Sequence, residues 1–210
     1  MFANIKNAVQ FLLSGNTAGI LAVLYASFAS LPAPFAPVHL LFINLLTDSL
    51  PAIALGMEPV ERDVMERKPK PKKEGLFAHG FGLRIVLQGV MFGGLSLAAF
   101  YIGEAETGLL AGGQTLAFMV LALSQIVQAF NMRSDRSIFR IGPFGNRSLN
   151  GAALISVALV ALVLFTPLSI PFGLIALPGK LYGIGVALIL VPVLVMELSK
   201  ACGLIKHQHT

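Results

Sequence analysis

Long apolar stretches dominate this sequence and limit what the chain can fold into. Of its 210 residues, 56% are hydrophobic and only 12% are charged, which is about half the charged fraction of a typical soluble domain. A helix that crosses a bilayer needs about 20 consecutive apolar residues, and the length suits six such helices with short connections. We therefore predict an all-α, polytopic membrane protein built as a bundle of six transmembrane helices.

Proline, glycine and charged residues interrupt the apolar sequence and give approximate bounds for each span. Within one membrane domain, 1–210, we place the spans at about 4–30, 37–57, 78–103, 114–132, 149–165 and 181–202. The fifth span is nearly free of polar residues and indicates a lipid-facing scaffold. Gly89 and Gly93 in the third span have the spacing that lets helix backbones approach closely, so we expect a tight helix contact there.

Basic residues are unevenly distributed among the connections. Ten of the 15 Lys and Arg residues lie in two of them, 58–75 and 133–147, whereas only Lys180 lies on the opposite side. The positive-inside rule then places both connections and both termini in the cytoplasm. Membrane topology thus explains the net charge of +5, and no nucleic-acid partner is expected. The connection 58–75 is either a solvated linker or a docking surface for a cytoplasmic domain.

One polar segment, Asn44-Leu-Leu-Thr-Asp-Ser-Leu-Pro51, lies inside the second span. Asp48 falls near the middle of the span, where a carboxylate is tolerated mainly beside a partner or a water-filled cavity. Because Pro51 has no N–H, the carbonyl of Thr47 loses its usual helical donor. Asn44 precedes Asp48 by one turn, which predicts that both lie on one helix face. The segment therefore offers carboxylate, amide, hydroxyl and carbonyl oxygens, which are the ligands that Ca²⁺ takes.

Polar residues also lie near the centres of two other spans, Asn16 with Thr17 in the first and Gln125 in the fourth. Each is explained singly by a hydrogen bond between helices, but at similar depth they predict one cavity shared with Asp48. The candidate metal ligands are Asp48, Asn44, Thr47, Asn16 and Gln125. A single carboxylate holds a divalent ion weakly. Either a partner segment supplies a second acid, or the ion is weakly bound or monovalent.

The sequence from Asn44 to Pro59 resembles the sixth transmembrane helix of P-type cation pumps. The closest resemblance is to the bacterial calcium-transporting branch, which is related to the sarcoplasmic reticulum calcium pump. Asn4–Asn7 and Leu13–Asn16 resemble the fifth helix, Met65–Pro69 resembles the loop after the sixth, and Ser124–Asn131 resembles the eighth. By this resemblance the six spans are helices five to ten of a ten-helix pump.

The resemblance implies the membrane part of an ATP-driven pump that exports Ca²⁺ across the plasma membrane. The family phosphorylates an aspartate in an Asp-Lys-Thr-Gly-Thr motif, which this sequence does not contain. We therefore expect no catalytic residue here and no ATP hydrolysis by the chain alone. ATP and Mg²⁺ would act only through missing partners: the actuator, phosphorylation and nucleotide domains, which accompany helices one to four.

The resemblance also assigns ion-ligand positions to Asn16, Asn44, Thr47 and Asp48. Two positions depart from the two-calcium pumps, since their glutamates on helices five and eight correspond here to Gly19 and Gln125. Both positions belong to the same one of the two ion sites in those pumps, and we expect that site to be lost or weakened here. The remaining site would use Asn44 and Asp48 with a glutamate and carbonyls of the fourth helix, so one Ca²⁺ would be carried per cycle.

Two alternatives stay open. The first keeps the family and changes the transported ion to Na⁺, Mn²⁺ or H⁺, which the low number of carboxylates permits. The second is a stand-alone six-helix membrane carrier or an assembly subunit. The first alternative differs from an ATP-driven Ca²⁺ pump in the ion on which transport depends. The second differs in that its activity would not depend on ATP.

Overall fold

The computed structural model describes residues 2–57, 80–133 and 145–201, and the regular structure in these ranges is entirely helical. The helices are α1 (Phe2–Phe28), α2 (Pro37–Phe42), a π-helical segment (Ile43–Thr47), α3 (Ser49–Gly56), α4 (Phe81–Thr107), α5 (Leu110–Asn131), α6 (Arg147–Phe165), α7 (Ser169–Phe172) and α8 (Gly179–Ala201).

Six helices of the described ranges are long and apolar enough to cross a membrane, if α2, the π-helical segment and α3 count as one. The predicted all-α bundle of six spans is therefore confirmed, and the chain is a multi-pass membrane protein. The cytoplasmic placement of both termini stays a prediction. The predicted connection 58–75 and most of 133–147 lie outside the described residues.

Helix α5 forms the centre of the bundle, where it packs against α4, α6 and α8. Leu116, Ala117 and Phe118 on successive sides of this helix are all fully buried. A helix that is apolar and buried on every side lies in the core, so side chains of α5 are within reach of most other spans.

Glycines set the close approach of α4 to its neighbours. A Cβ atom on Gly93 would lie 3.0 Å from the carbonyl oxygen of Ala18 in α1, and one on Gly89 would lie 2.6 Å from Cγ2 of Thr17. The predicted helix contact at Gly89 and Gly93 is confirmed. Gly103 meets α5 in the same way, because its Cβ would lie 2.6 Å from the carbonyl oxygen of Gly112.

Helix α4 continues past its predicted end at 103 to Thr107. It ends there because Gly108 adopts φ of 68°, the left-handed conformation with which glycine terminates many helices. The extra turn brings Glu106 to the start of α8, where its Oε1 accepts a hydrogen bond from Nζ of Lys180 at 2.8 Å. Both side chains are substantially exposed, so this ion pair contributes at most about 1 kcal/mol.

Helix α6 has a buried face, so the prediction of a lipid-facing scaffold is wrong for that face. Its buried residues recur at helical spacing and are Leu149, Ala152, Ala153, Ser156, Val160, Val163 and Leu164. They pack against α3, α5 and the π-helical segment. The prediction failed because an apolar helix shows no polar face by which its buried side can be told from its lipid-facing side.

Candidate cation site

The second span changes its winding next to Asp48. The N–H of Asp48 donates to the carbonyl of Ile43, five residues earlier, at 2.9 Å. Such π-helical turns are wider than α-helical turns and are frequent at functional sites. The hydroxyl of Thr47 donates to the same Ile43 carbonyl at 2.9 Å, and that of Ser49 donates to Leu45 at 2.8 Å and Asn44 at 3.2 Å. Hydroxyl groups of the segment thus bond to the carbonyls of its widened turn.

The carbonyl of Thr47 is bonded to a neighbouring helix. Pro51 cannot donate to it, as the sequence predicts. In its place the hydroxyl of Ser156 in α6 donates to this carbonyl at 3.1 Å. In this structure the Thr47 carbonyl therefore accepts a hydrogen bond from α6, and sequence reasoning missed Ser156.

Asp48 and Gln125 meet at Gly15. Their side chains come from the broken second span and from α5, and they are 1% and 0% exposed. A Cβ atom on Gly15 in α1 would lie 2.9 Å from Oε1 of Gln125 and 3.1 Å from Oδ2 of Asp48. The two oxygens are separated by no more than the sum of these distances. Three spans therefore converge at one buried polar point.

In the described part of the chain, three polar atoms of these two side chains lack hydrogen-bond partners. Within the described residues, Oδ1 of Asp48 and both amide atoms of Gln125 are buried without a hydrogen bond. An unsatisfied buried polar group costs about 1–3 kcal/mol, and an isolated carboxylate costs considerably more. A proton or a cation at Asp48 would remove most of that cost. The Asp48 and Gln125 oxygens near Gly15 are the hard ligands that Ca²⁺ and similar cations take.

The other predicted ligands differ in burial. Thr47 is buried, but its hydroxyl bonds within its own turn. Asn44 is exposed whereas Asp48 is buried, and the common face predicted for these two residues stays a prediction. Asn16, next to Gly15, is half-buried.

Thr17, predicted to share the cavity with Asn16, faces elsewhere. Its hydroxyl donates to the Leu13 carbonyl at 2.7 Å, and its methyl group packs against Gly89 of α4. One turn beyond Gln125, the buried Gln128 accepts a hydrogen bond from Nδ2 of Asn131 at 3.3 Å. The structure thus assigns Thr17 to helix packing and extends the polar face of α5 from Gln125 toward the end of that helix.

Gly19 has no open space beside it. A Cβ atom there would lie 2.8 Å from Cδ2 of Leu40, so this leucine of α2 fills the volume next to the helix. In addition, the described residues contain no group of three or more His, Cys, Asp and Glu side chains able to hold a metal.

A known protein family matches the part of the chain that contains Asp48 and Gln125. The model of the family "Cation transporting ATPase, C-terminus" matches residues 32–202, which include the broken span and Gln125. The chain belongs to this family. The matched residues contain Asp48, the π-helical turn and helices α2 to α8, whereas α1 precedes them.

Relatives of this ATPase region include three bacterial proteins. The chain is 41% identical to "Calcium-transporting ATPase" of Bacillus subtilis over 80% of its own length and 19% of the relative's. It is 37% identical to "Calcium-transporting ATPase 1" of Bacillus cereus and to a calcium-transporting ATPase of Listeria monocytogenes, in each case over 95% of its length and 24% or 23% of theirs. These similarities confirm the predicted resemblance. The chain spans roughly a fifth to a quarter of the length of these relatives.

Proposed function

We propose that the chain is the membrane part of an ATP-driven Ca²⁺ pump of the cell membrane and that it carries one ion site around Asp48. The observation that carries this proposal is the buried Asp48, whose Oδ1 has no partner in the described residues and which meets Gln125 at Gly15. The relatives that are named calcium-transporting ATPases support Ca²⁺ as the cargo. ATP and Mg²⁺ would act through domains outside this chain.

In this proposal Asp48 supplies the negative charge of the site and Gln125 supplies a neutral oxygen. Thr47, Asn44 and Asn16 remain proposed ligands. The exposed Asn44 lies beside the break in the second span, where a helix from the rest of the pump would cover it and add ligands. Since the π-helical turn places Asp48, a change of that turn toward α-helical winding would rotate the carboxylate. Phosphorylation elsewhere in the pump would drive this change and release the ion on the other side.

Two features support a single ion per cycle. Gln125 brings no charge to the polar point, and Leu40 fills the space beside Gly19, so neither position provides a second carboxylate. Divalent ions are held tightly by sites with several carboxylates. A second tight Ca²⁺ site at these two positions would need both an acid and the displacement of Leu40.

The ion dependence of phosphorylation tests the function. In the full-length pump that contains this chain, we expect phosphoenzyme formation from radiolabelled ATP to require Ca²⁺, with one bound Ca²⁺ per phosphoenzyme. Phosphorylation that instead follows Na⁺, Mn²⁺ or pH would reassign the cargo. ATP-independent Ca²⁺ flux into vesicles that contain only this chain would indicate a stand-alone carrier and contradict the proposal.

Gly15→Ala tests the convergence of the three spans. The added methyl would press on Oε1 of Gln125 and Oδ2 of Asp48, because both lie near 3 Å from its position. Overpacking of this kind costs about 1–3 kcal/mol and each 1.4 kcal/mol is a factor of ten, so we expect the Ca²⁺ concentration that gives half-maximal phosphorylation to rise at least about fivefold. Gly94→Ala is the control, because a Cβ at Gly94 meets nothing within 4 Å. Equal Ca²⁺ dependence of the two variants would show that Asp48 and Gln125 do not bind the ion from this point.

A further inference from the structure

We propose that Ser156 is a positioning residue for the cation site. Its hydroxyl holds the turn that carries Asp48 by bonding to the Thr47 carbonyl, which Pro51 leaves without a backbone donor. The functional consequence rests on the proposed Ca²⁺ site, whereas the hydrogen bond itself is testable without it.

Ser156 differs from the other buried serines of this bundle in what it bonds to. Ser14, Ser96 and Ser124 are all buried, and each donates to a carbonyl of its own helix, those of Phe11, Phe92 and Leu121. This is the usual way in which serine satisfies its hydroxyl inside a helix. Ser156 is 0% exposed and donates instead to another span, at 3.1 Å.

The bonded carbonyl belongs to the peptide unit that joins Thr47 to Asp48. This unit is planar, so its C=O and its N–H turn together. Its N–H, that of Asp48, donates to Ile43 at 2.9 Å, and its C=O accepts from Ser156. The unit is therefore fixed from both sides, once by its own turn and once by α6. Because this peptide plane and the φ of Asp48, −90°, together set the direction of the Asp48 Cα–Cβ bond, Ser156 helps to aim the carboxylate at Gly15 and Gln125.

A second contact shows that α6 follows the broken span over more than one turn. Nδ2 of Asn146, at the start of α6, donates to the carbonyl of Ala54 in α3 at 3.3 Å. Together with the bond from Ser156 to Thr47, it attaches α6 to the second span both at the break and near the end of α3. Helix α6 thus supports the cation site through the backbone of its neighbour, without touching the ion.

The functional test uses Ser156→Ala in the full-length pump. We expect the half-activating Ca²⁺ concentration for phosphorylation to rise about three- to tenfold, the range that loss of one neutral hydrogen bond produces. The maximal phosphoenzyme level at saturating Ca²⁺ should stay unchanged, because the variant misplaces Asp48 but does not remove it. Ser156→Thr retains a hydroxyl and should restore most of the affinity. Ser96→Ala removes an equally buried hydroxyl that bonds within α4 and should shift nothing.

Pro51→Ala provides a coupling test. An alanine at position 51 supplies the backbone N–H that the Thr47 carbonyl lacks, so Ser156→Ala should have a smaller effect in the Pro51→Ala background than in the wild type. Additive effects of the two substitutions would overturn the proposal. So would an unshifted Ca²⁺ dependence of Ser156→Ala in a pump that Ca²⁺ does activate. Either result would leave the proposed function standing.

A spectroscopic test is independent of transport. Thr47-Asp48 is the only Thr-Asp step in the sequence, so ¹³C-carbonyl threonine combined with ¹⁵N-aspartate selects the Thr47 carbonyl by solid-state NMR of this chain in lipid bilayers. We expect Ser156→Ala to move this carbonyl resonance toward the position of a weaker hydrogen bond and Ser96→Ala to leave it in place. An identical resonance in both variants would refute the hydrogen bond, whether or not the pump carries Ca²⁺.

Discussion

Asp48→Asn is expected to raise the Ca²⁺ concentration needed for phosphorylation of the full-length pump by at least about 100-fold. Removal of one member of a buried charge pair costs about 3–5 kcal/mol, and each 1.4 kcal/mol is a factor of ten in affinity. The effect is this large because Asp48 supplies the charge at a point where Gln125 adds only a neutral amide. Calcium titration of phosphoenzyme formation measures it.

The Asp48→Asn variant distinguishes a loss of ion binding from a loss of the fold. Asparagine keeps the size of the side chain and relieves the burial of a charge, so we expect the Asp48→Asn protein to stay folded. Glu106→Gln is the matched control, since it removes a carboxylate that is partly exposed and pairs with Lys180; its Ca²⁺ dependence should equal that of the wild type. A wild-type Ca²⁺ response in Asp48→Asn would show that the cation site has been assigned to the wrong residue.

Gly93→Leu should destabilise the bundle strongly, whereas Gly94→Leu should not. A Cβ at Gly93 would lie 3.0 Å from the carbonyl oxygen of Ala18, a backbone atom that cannot rotate away, but nothing lies within 4 Å of a Cβ at Gly94. Overpacking costs about 1–3 kcal/mol even where side chains can adjust, so we expect the upper end of this range or more for Gly93→Leu.

The comparison of neighbouring glycines removes effects of helix propensity and hydrophobicity, because both variants add the same side chain to the same helix. Thermal unfolding of the purified proteins measures this difference in stability. It is monitored as the fraction of protein that stays monodisperse in detergent. If Gly93→Leu and Gly94→Leu lost stability equally, the close contact of α1 and α4 would not be what holds this part of the bundle together.

Several features followed from local sequence alone. The number and approximate position of the spans depend on the lengths of apolar runs, and the bilayer imposes those lengths. Asp48 stood out because a carboxylate in the middle of such a run is costly, and Pro51 showed which carbonyl would lack its donor. The small-residue spacing of Gly89 and Gly93 predicted a close contact, although it did not tell which helix would be the partner.

The sequence missed the side chains that complete the surroundings of Asp48. Gly15 was one of the 21 glycines of the sequence, Ser156 was one polar residue in an apolar helix, and Leu40 was one leucine among many. The signal for Ser156 was its place in a row with Ala152 and Ala153 at helical spacing, which marks the packed face of α6. Such a row becomes informative only when the neighbouring helix is known.

What the sequence determined by itself is therefore the membrane class, the six spans and the acidic residue within the second of them, because these depend on the cost of transferring short segments into hydrocarbon. Tertiary structure alone decided that Asp48 meets Gln125 at Gly15, that Asn44 is exposed and that Ser156 bonds to the Thr47 carbonyl. Those contacts depend on the rotation and axial position of each helix, which the joint packing of all six spans and the π-helical turn fix.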